Sequence, residues 1–247
     1  MNKQSFCRSC GNKLFEVVNF GKMPIANAFV HKEEFKNEYM FQLMAMNCHK
    51  CSLFQLYEQP DPSLLFHDNY AFLADTSRVM QQHFSLLAEE LIKDFNLKND
   101  ELVTEIGSND SGVIYYLHNS YKHTNHLGVE PSKNVCEISN SKGLRMKNLF
   151  FNSNTASNLV SEFGKSKYFI SLNTLAHIPD INSVLKGIHD FLTDDGIYIT
   201  EDPYLFDVFN KVSYDQIYDE HVFIFSVTAM KKLCDKFNLQ LFDVKKT

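Results

Sequence analysis

The sequence predicts an α/β fold, a largely parallel sheet covered by helices, behind a small β-rich module stapled by a metal ion. Two observations carry this. Two C-x-x-C pairs fall within the first 51 residues, a stretch with no long helical period. From about residue 97 onward, apolar strand-like runs alternate with helical ones, the pattern of parallel strands joined by crossover helices.

Residues 1–60 form the expected module. Leu14–Val18 and Phe41–Met46 are short strand-like pieces, and the pairs Cys7/Cys10 and Cys48/Cys51 sit on the polar turns C-R-S-C-G and C-H-K-C. A gap of two residues lets a tight turn aim both sulfurs at one point, so four thiolates meet one tetrahedral zinc. The 37 residues between the pairs add only modest loop-closure entropy, which the metal offsets. With all four positions filled by sulfur, this zinc is structural. His49, inside the second pair, reads as a solvent-facing turn residue. Cys136 and Cys234 read as packed thiols on helices.

Residues 61–96 read as a connector, with Tyr70 and Phe72, and an amphipathic helix over Ser77–Phe95. Its apolar positions Met80, Phe84, Leu87, Ala88, Leu91 and Ile92 recur at helical spacing. Residues 97–247 then form the α/β domain. Strands are expected at Glu101–Ile106, Asn125–Val129, Tyr168–Leu172, Gly196–Thr200 and Leu239–Val244. Helices are expected at Val113–His118, Ser132–Ser141, Ile181–Leu192 and Val227–Phe237.

The chain has 247 residues and a formal charge of −6, with 44% hydrophobic residues. No basic excess favours nucleic acid, and no apolar run approaches the roughly 20 residues of a membrane span. MNKQSFCRSC has no signal-peptide core, so a cytoplasmic location is expected.

Between the first expected strand and helix lies Val103-Thr104-Glu105-Ile106-Gly107-Ser108-Asn109-Asp110-Ser111-Gly112. Glycine there lets backbone approach a ligand at the strand ends, where open α/β sheets bind. Leu127-Gly128-Val129-Glu130 ends the next strand with an acid suited to accept from both ribose hydroxyls of a nucleoside. The pattern by itself fits NAD, FAD or S-adenosylmethionine. It is not G-x-G-x-x-G, which tilts it away from dinucleotides, and there is no P-loop motif.

Taken in order, C-x-x-C-G, C-x-x-C, E-I-G-S-N-D, G-V-E-P-S, L-N-T-L-A-H-I-P-D, E-D-P-Y-L and Y-D-E-H span essentially the whole chain. This series resembles the bacterial C-methyltransferases of nucleotide-linked deoxy-keto-sugars. The resemblance implies a Rossmann-like S-adenosylmethionine methyltransferase core behind the zinc-binding module. It implies cofactor binding by Glu105, Gly107, Asn109, Asp110, Glu130 and Asn173. It also implies a catalytic pair in Glu220 and His221.

Methylating carbon beside a ketone requires removal of an α-proton, a task for a neutral histidine, and His221 is the expected base. Glu220 would orient it or bind a sugar hydroxyl, and His177 and Tyr70 would donate hydrogen bonds to the enolate oxygen. Each has a plainer reading: His221 at a strand edge, His177 or Asp180 capping the next helix, Tyr70 packing. His83 is a weaker candidate near the cofactor.

Two departures from that family are visible. The loop reads G-S-N-D-S-G where relatives read G-S-N-D-G, which is expected to shift the helix start. Relatives also continue into a C-terminal domain and a final antiparallel strand, whereas this chain ends at Thr247. An unfilled sheet slot is therefore expected, open to a partner chain or to self-association. The competing functions are C-methylation of a nucleotide-sugar, methylation of another acceptor such as a sugar hydroxyl, and an inactive zinc-stapled scaffold.

Overall fold

A computed structural model describes residues 2–3, 5–65, 73–110 and 112–247, and Tyr70 lies outside the described residues. The chain divides into two compact units that do not follow chain order. The first comprises residues 1–65, 175–185 and 202–247; the second comprises residues 66–174 and 186–201.

The first unit begins with β1 (Asn2–Lys3), β2 (Phe15–Pro24), β3 (Met40–Asn47), β4 (Phe54–Leu56), β5 (Glu58–Gln59) and the single-turn helix α1 (Pro62–Leu65). β2 and β3 pair antiparallel from Phe15↔Asn47 to Pro24↔Met40, and β4 continues the sheet through Ala45↔Leu56. Phe41, Leu43 and Ala45 are buried with Phe54 and Leu56, forming one apolar cluster.

The second unit opens with α2 (Arg78–Lys93), capped by the Ser77 side chain, which accepts from the Met80 amide. Then come β6 (Val103–Ile106), α3 (Val113–Tyr121), β7 (His126–Val129), α4 (Lys133–Ser141), β8 (Met146–Lys147), α5 (Ser153–Phe163) and β9 (Ser166–Leu172). After α6 (Ile181–Phe191), β10 (Leu192–Glu201) completes a five-stranded sheet in the order β10-β9-β6-β7-β8, with every pairing parallel. The order reverses between β6 and β9, so the carboxyl ends of these two strands form the switch point where such sheets bind ligands. Val103, Ile106, Tyr168, Phe169, Ile170 and Leu172 are buried, as strands covered on both faces must be.

The chain then returns to the first unit with α7 (Leu205–Asn210), β11 (Phe223–Ile224) and α8 (Val227–Asp235). β11 pairs with β4, so the first unit's main sheet runs β11-β4-β3-β2.

One expected element is corrected. Leu239–Val244 is not a strand, and residues 239–247 are irregular. Phe242 is 68% exposed and Val244 is 58% exposed, so this alternating run buries no face against a sheet, and apolar alternation alone does not make a strand. Met146–Lys147 and Ser153–Phe163 are elements the sequence reading left out.

Candidate functional site

Three groups of chemically capable residues stand out: a cysteine cluster, a histidine–carboxylate centre and a loop cradle at the switch point.

The cysteines of the first group come together as their spacing predicts. The sulfurs of Cys7, Cys10, Cys48 and Cys51 all lie within 4.8 Å of one another. Cys7–Cys51 and Cys10–Cys48 are each separated by 3.5 Å. Four sulfurs about 2.3 Å from one zinc in a tetrahedron stand about 3.8 Å apart, so this donor set fits the ion. Each pair sits on a matching knuckle. The Gly11 amide donates to the Cys7 carbonyl at 2.9 Å and the Ser52 amide to the Cys48 carbonyl at 2.7 Å. Gly11 and Ser52 take the left-handed conformation these turns need, at φ 69° and 64°.

Distant segments hold the knuckles. Asn182 donates its amide to the Arg8 and Ser9 carbonyls, Lys236 reaches the Ser9 carbonyl at 2.6 Å, and Lys232 reaches the Lys50 carbonyl at 3.0 Å. The two lysines also place positive charge beside a site whose four thiolates outweigh the metal. His49 is exposed and stacks on Phe15 at 4.0 Å, as a turn residue would. Cys136 and Cys234 are buried on α4 and α8.

The second group lies in the same unit. His221 precedes β11 and is 8% exposed. Its Nδ1 lies 2.9 Å from the Gln216 carbonyl. A carbonyl only accepts, so Nδ1 carries the proton and donates; in the neutral ring the lone pair is then on Nε2. Burial holds this imidazole below its ordinary pKa, against the partial opposition of the Gln216 bond. His177 ends a short turn over Leu175–His177, its ring centroid 5.0 Å from that of His221. The Nδ1 of His177 lies 4.0 Å from Oε2 of Glu220, itself 3% exposed. Tyr218 packs edge-on against His221 at 4.5 Å, and burial beside Glu220 and Asp219 keeps its hydroxyl protonated. Asp180 does serve α6, with its Oδ1 accepting from the Ser183 amide at 3.1 Å.

The third group belongs to the second unit and surrounds the end of β6. Gly107 is left-handed at φ +60°, and a Cβ there would meet the Thr174 hydroxyl oxygen at 2.3 Å. The Glu105 carboxylate accepts from the Val113 and Ile114 amides at 3.1 and 3.0 Å, which caps α3 from inside the fold. Burial outweighs those two bonds and pushes its pKa up to about 7. A Cβ on Gly112 would lie 2.5 Å from the Glu105 carboxylate oxygen, which is why glycine stands there. The helix therefore starts at Val113, directly after the second glycine of the altered loop.

Asn109 and Asp110 direct their side chains toward the turn Ala74–Thr76. Asn109 Oδ1 accepts from the Ala74 amide at 2.9 Å, and Asp110 Oδ1 accepts from the Asp75 amide at 3.1 Å. Lys142 bridges Asp75 and Asp110 at 3.1 and 3.3 Å. Glu130, 5% exposed at the end of β7, accepts from the Ser132 amide at 2.9 Å and the Asn109 amide at 3.3 Å. Burial raises its pKa against those bonds. Asn173 is exposed at the end of β9, left-handed at φ 49°, its amide on the Glu201 carbonyl at 2.6 Å. His83 pairs with Glu201 at 2.8 Å.

Sequence reading did not single out Asn27, Gln216, Asp75 or Lys142. Their partners are up to 193 residues away, and no local spacing announces them.

Sheet order and the cysteine site together define a class: a Rossmann-like α/β fold in a chain that also carries a four-cysteine module suited to zinc. Residues 7–66 match the domain family described as "Putative zinc binding domain". The chain is 28% identical over 240 residues to the C-methyltransferase NovU of Streptomyces niveus, covering 96% of this chain and 56% of that protein. It thus spans little more than half the length of this curated relative.

Among solved structures, the chain is similar to the plantazolicin methyltransferase BpumL in complex with a triazolic desmethylPZN analog and SAH. The TM-score is 0.53 at 10% identity, over 66% of each chain. It is also similar to the complex between the Haloferax volcanii Trm112 methyltransferase activator and a methyltransferase. There the TM-score is 0.52 at 12% identity, over 67% of this chain and 73% of the other. At such identities the likeness is one of fold. No helix among the described residues is long and apolar enough to cross a membrane.

Proposed function

We propose that this chain is the methyl-transferring portion of an S-adenosylmethionine-dependent C-methyltransferase acting on carbon beside a ketone, in a nucleotide-linked keto-sugar. The observation that carries the reading is the protonation pattern at His221. A buried ring whose Nδ1–H is fixed on a carbonyl offers Nε2 as a neutral base near pH 7. The resemblance over 96% of this chain to a C-methyltransferase agrees with it.

In this reading, His221 Nε2 takes the proton from the carbon next to the acceptor's carbonyl. The acceptor's oxygen gains charge as that proton leaves, and a hydrogen bond from His177 offsets it. Tyr70 is proposed as a further donor. The Glu220 carboxylate, 4.0 Å from His177, steadies that ring's proton.

For the cofactor, Glu130 would hold the ribose hydroxyls through its remaining lone pairs. The backbone around Gly107 would lie close to the ligand, where a side chain would intrude, and Asn173 would contact it from the end of β9. Glu105, Asn109 and Asp110 shape the loop through the bonds described above. S-adenosylmethionine supplies a methyl group on a positively charged sulfur, so the protein needs no nucleophile of its own and contributes positioning.

The test is product analysis. Purified zinc-loaded protein is incubated with isotopically methyl-labelled S-adenosylmethionine and a set of nucleotide-linked keto-sugars, and the product is read by NMR. A new carbon–carbon-bound methyl, absent with His221→Ala, is expected. A methyl on oxygen would overturn C-methylation in favour of a hydroxyl acceptor, and turnover unaffected by His221→Ala would remove the assigned base.

A further inference from the structure

We propose that Asn27, in the loop after β2, is a positioning residue that orients the Glu220 carboxylate toward His177 and holds it ionised. The zinc-stapled segment thereby becomes a working part of the histidine–carboxylate centre. The catalytic meaning of this inference rests on the methyltransferase reading above; the interaction itself does not.

The loop Ile25-Ala26-Asn27 makes two long-range bonds to the Tyr218-Asp219-Glu220-His221 segment. The Asn27 side-chain amide donates to Glu220 Oε1 at 2.6 Å, and the Ala26 amide donates to Asp219 Oδ1 at 3.1 Å. Ile25 is 7% exposed and anchors the loop from its apolar side. Glu220 is 3% exposed, so a donor this close to its carboxylate replaces water and favours the charged form. With Oε1 engaged, Oε2 is the oxygen nearest the His177 ring, at 4.0 Å.

Titratable groups near this point among the described residues include Tyr218, Asp219, His221 and Asp202. Asp219 is committed to Ala26, Asp202 accepts from the Ala176 amide at 2.9 Å, and His221 donates to Gln216. Tyr218 remains protonated. The Tyr218 hydroxyl also bonds to the Glu220 carboxylate, and the Asn27 amide engages Oε1.

An amide also suits this place better than the carboxylate of the same shape. Aspartate at position 27 would set two carboxylates at hydrogen-bond distance, and they would share one proton until the pH rose far enough to remove it. Asn27→Asp thus keeps the shape while inverting the chemistry, which separates positioning by charge from simple packing.

The experiment follows the His177 imidazole by NMR across pH in the full zinc-loaded chain, for wild type, Asn27→Asp and Asn27→Ala. Wild type is expected to show one step. Asn27→Asp is expected to add a second inflection, from the shared proton, between roughly pH 5 and 8. Asn27→Ala is expected to lower the His177 midpoint by about half a unit, because the neighbouring carboxylate loses the donor that favours its charge. Glu220→Gln in the Asn27→Asp background is expected to remove the added inflection.

Identical His177 titrations in all three proteins overturn the proposal, and if Asn27→Asp does not fold, an unshifted midpoint in Asn27→Ala does so alone. Calorimetric titration of S-adenosylmethionine into wild type tests the methyltransferase reading separately. Absent binding with the His177 effect intact sinks that reading and supports the role of Asn27. Normal binding with no His177 effect does the reverse.

Discussion

Strand β6 at the centre of the parallel sheet is buried at all four of its residues, whereas β2 of the zinc-bearing unit leaves eight of its ten exposed. The two units thus spend their residues differently. In the second, Val103, Ile114, Leu117 and Ile170 are wholly enclosed and the hydrophobic effect supplies the stability. In the first, the edge strand presents Phe15, Val17, Phe20 and Met23 outward. The unit's folding therefore rests more on the four sulfurs and on side chains that clasp the knuckles from Asn182, Lys232 and Lys236.

Zinc removal should exaggerate that contrast more than any other perturbation. Structural zinc in small modules is worth on the order of 10 kcal/mol. A strong chelator, or Cys48→Ser, is expected to unfold the β2–β4 sheet while amide exchange stays protected in β6 and β9. Equal loss of protection in both sheets would break the distinction. Metal analysis should find one zinc per chain in wild type.

Next in size is chemistry at the histidine centre. His221→Ala is expected to reduce turnover by roughly 10²–10⁴ while leaving S-adenosylmethionine affinity unchanged. Because burial depresses the imidazole, the acid limb of kcat/KM should lie below about pH 6.5, the ordinary histidine value. An acid limb above that pH would point to a different base.

Acid is expected to act on the second unit through a buried histidine. His126 is 2% exposed, and its pKa is lowered to about 4, mainly by burial. Its Nδ1 faces the His123 carbonyl at 3.2 Å and its Nε2 accepts from the Arg145 amide at 3.2 Å. The unfolded state binds a proton below about pH 6.5 and the folded state only below about 4. The contribution of neutral His126 is therefore lost as pH falls through that window, by about 3 kcal/mol in full. Glu105, raised to about 7, works with the opposite sign, since its ionisation costs the folded state as pH rises from about 4.5. Denaturant titrations of wild type against His126→Gln isolate the histidine: the deficit of the variant should shrink from pH 7.5 to pH 4.5. A pH-independent difference would contradict the assignment.

The smallest effect is expected at the half-exposed His83–Glu201 pair. His83→Ala should change stability by less than about 1 kcal/mol, as exposed pairs usually do. A larger loss in thermal melts would mean that this pair ties α2 to the end of β10.

What could be read in the sequence follows the range of the forces involved. Paired cysteines two residues apart and helices with a 3.6-residue period are local signals, and α2, α3, α4, α6 and α8 lie close to where they are expected. The parallel strands were legible for the same reason, being short apolar runs between breakers. By contrast, β8 is two residues long and α5, S-N-T-A-S-N-L-V-S-E-F, carries few apolar residues, so neither rises above its surroundings. Leu239–Val244 misled because its alternation is real, while strand formation also needs a partner.

At the candidate site, the partners that the side chains take were not legible. Glu105 looks like a ligand acid in the sequence, yet its carboxylate caps α3. Asn109 and Asp110 spend their side chains on Ala74 and Asp75. Asn27, 193 residues from Glu220, carries no motif at all. Such pairings are set by topology, which periodicity does not encode.

The proposed methyl transfer needs a nucleoside-binding cradle at the β6–β9 switch point. Calorimetric titration of S-adenosylmethionine into the zinc-loaded chain tests it most directly, using wild type, Glu130→Gln and His221→Ala. One site per chain is predicted, with affinity reduced roughly 10-fold or more in Glu130→Gln, which loses a charged hydrogen-bond acceptor, and unchanged in His221→Ala. No binding to a folded, zinc-loaded chain, or equal binding by Glu130→Gln, would contradict the account.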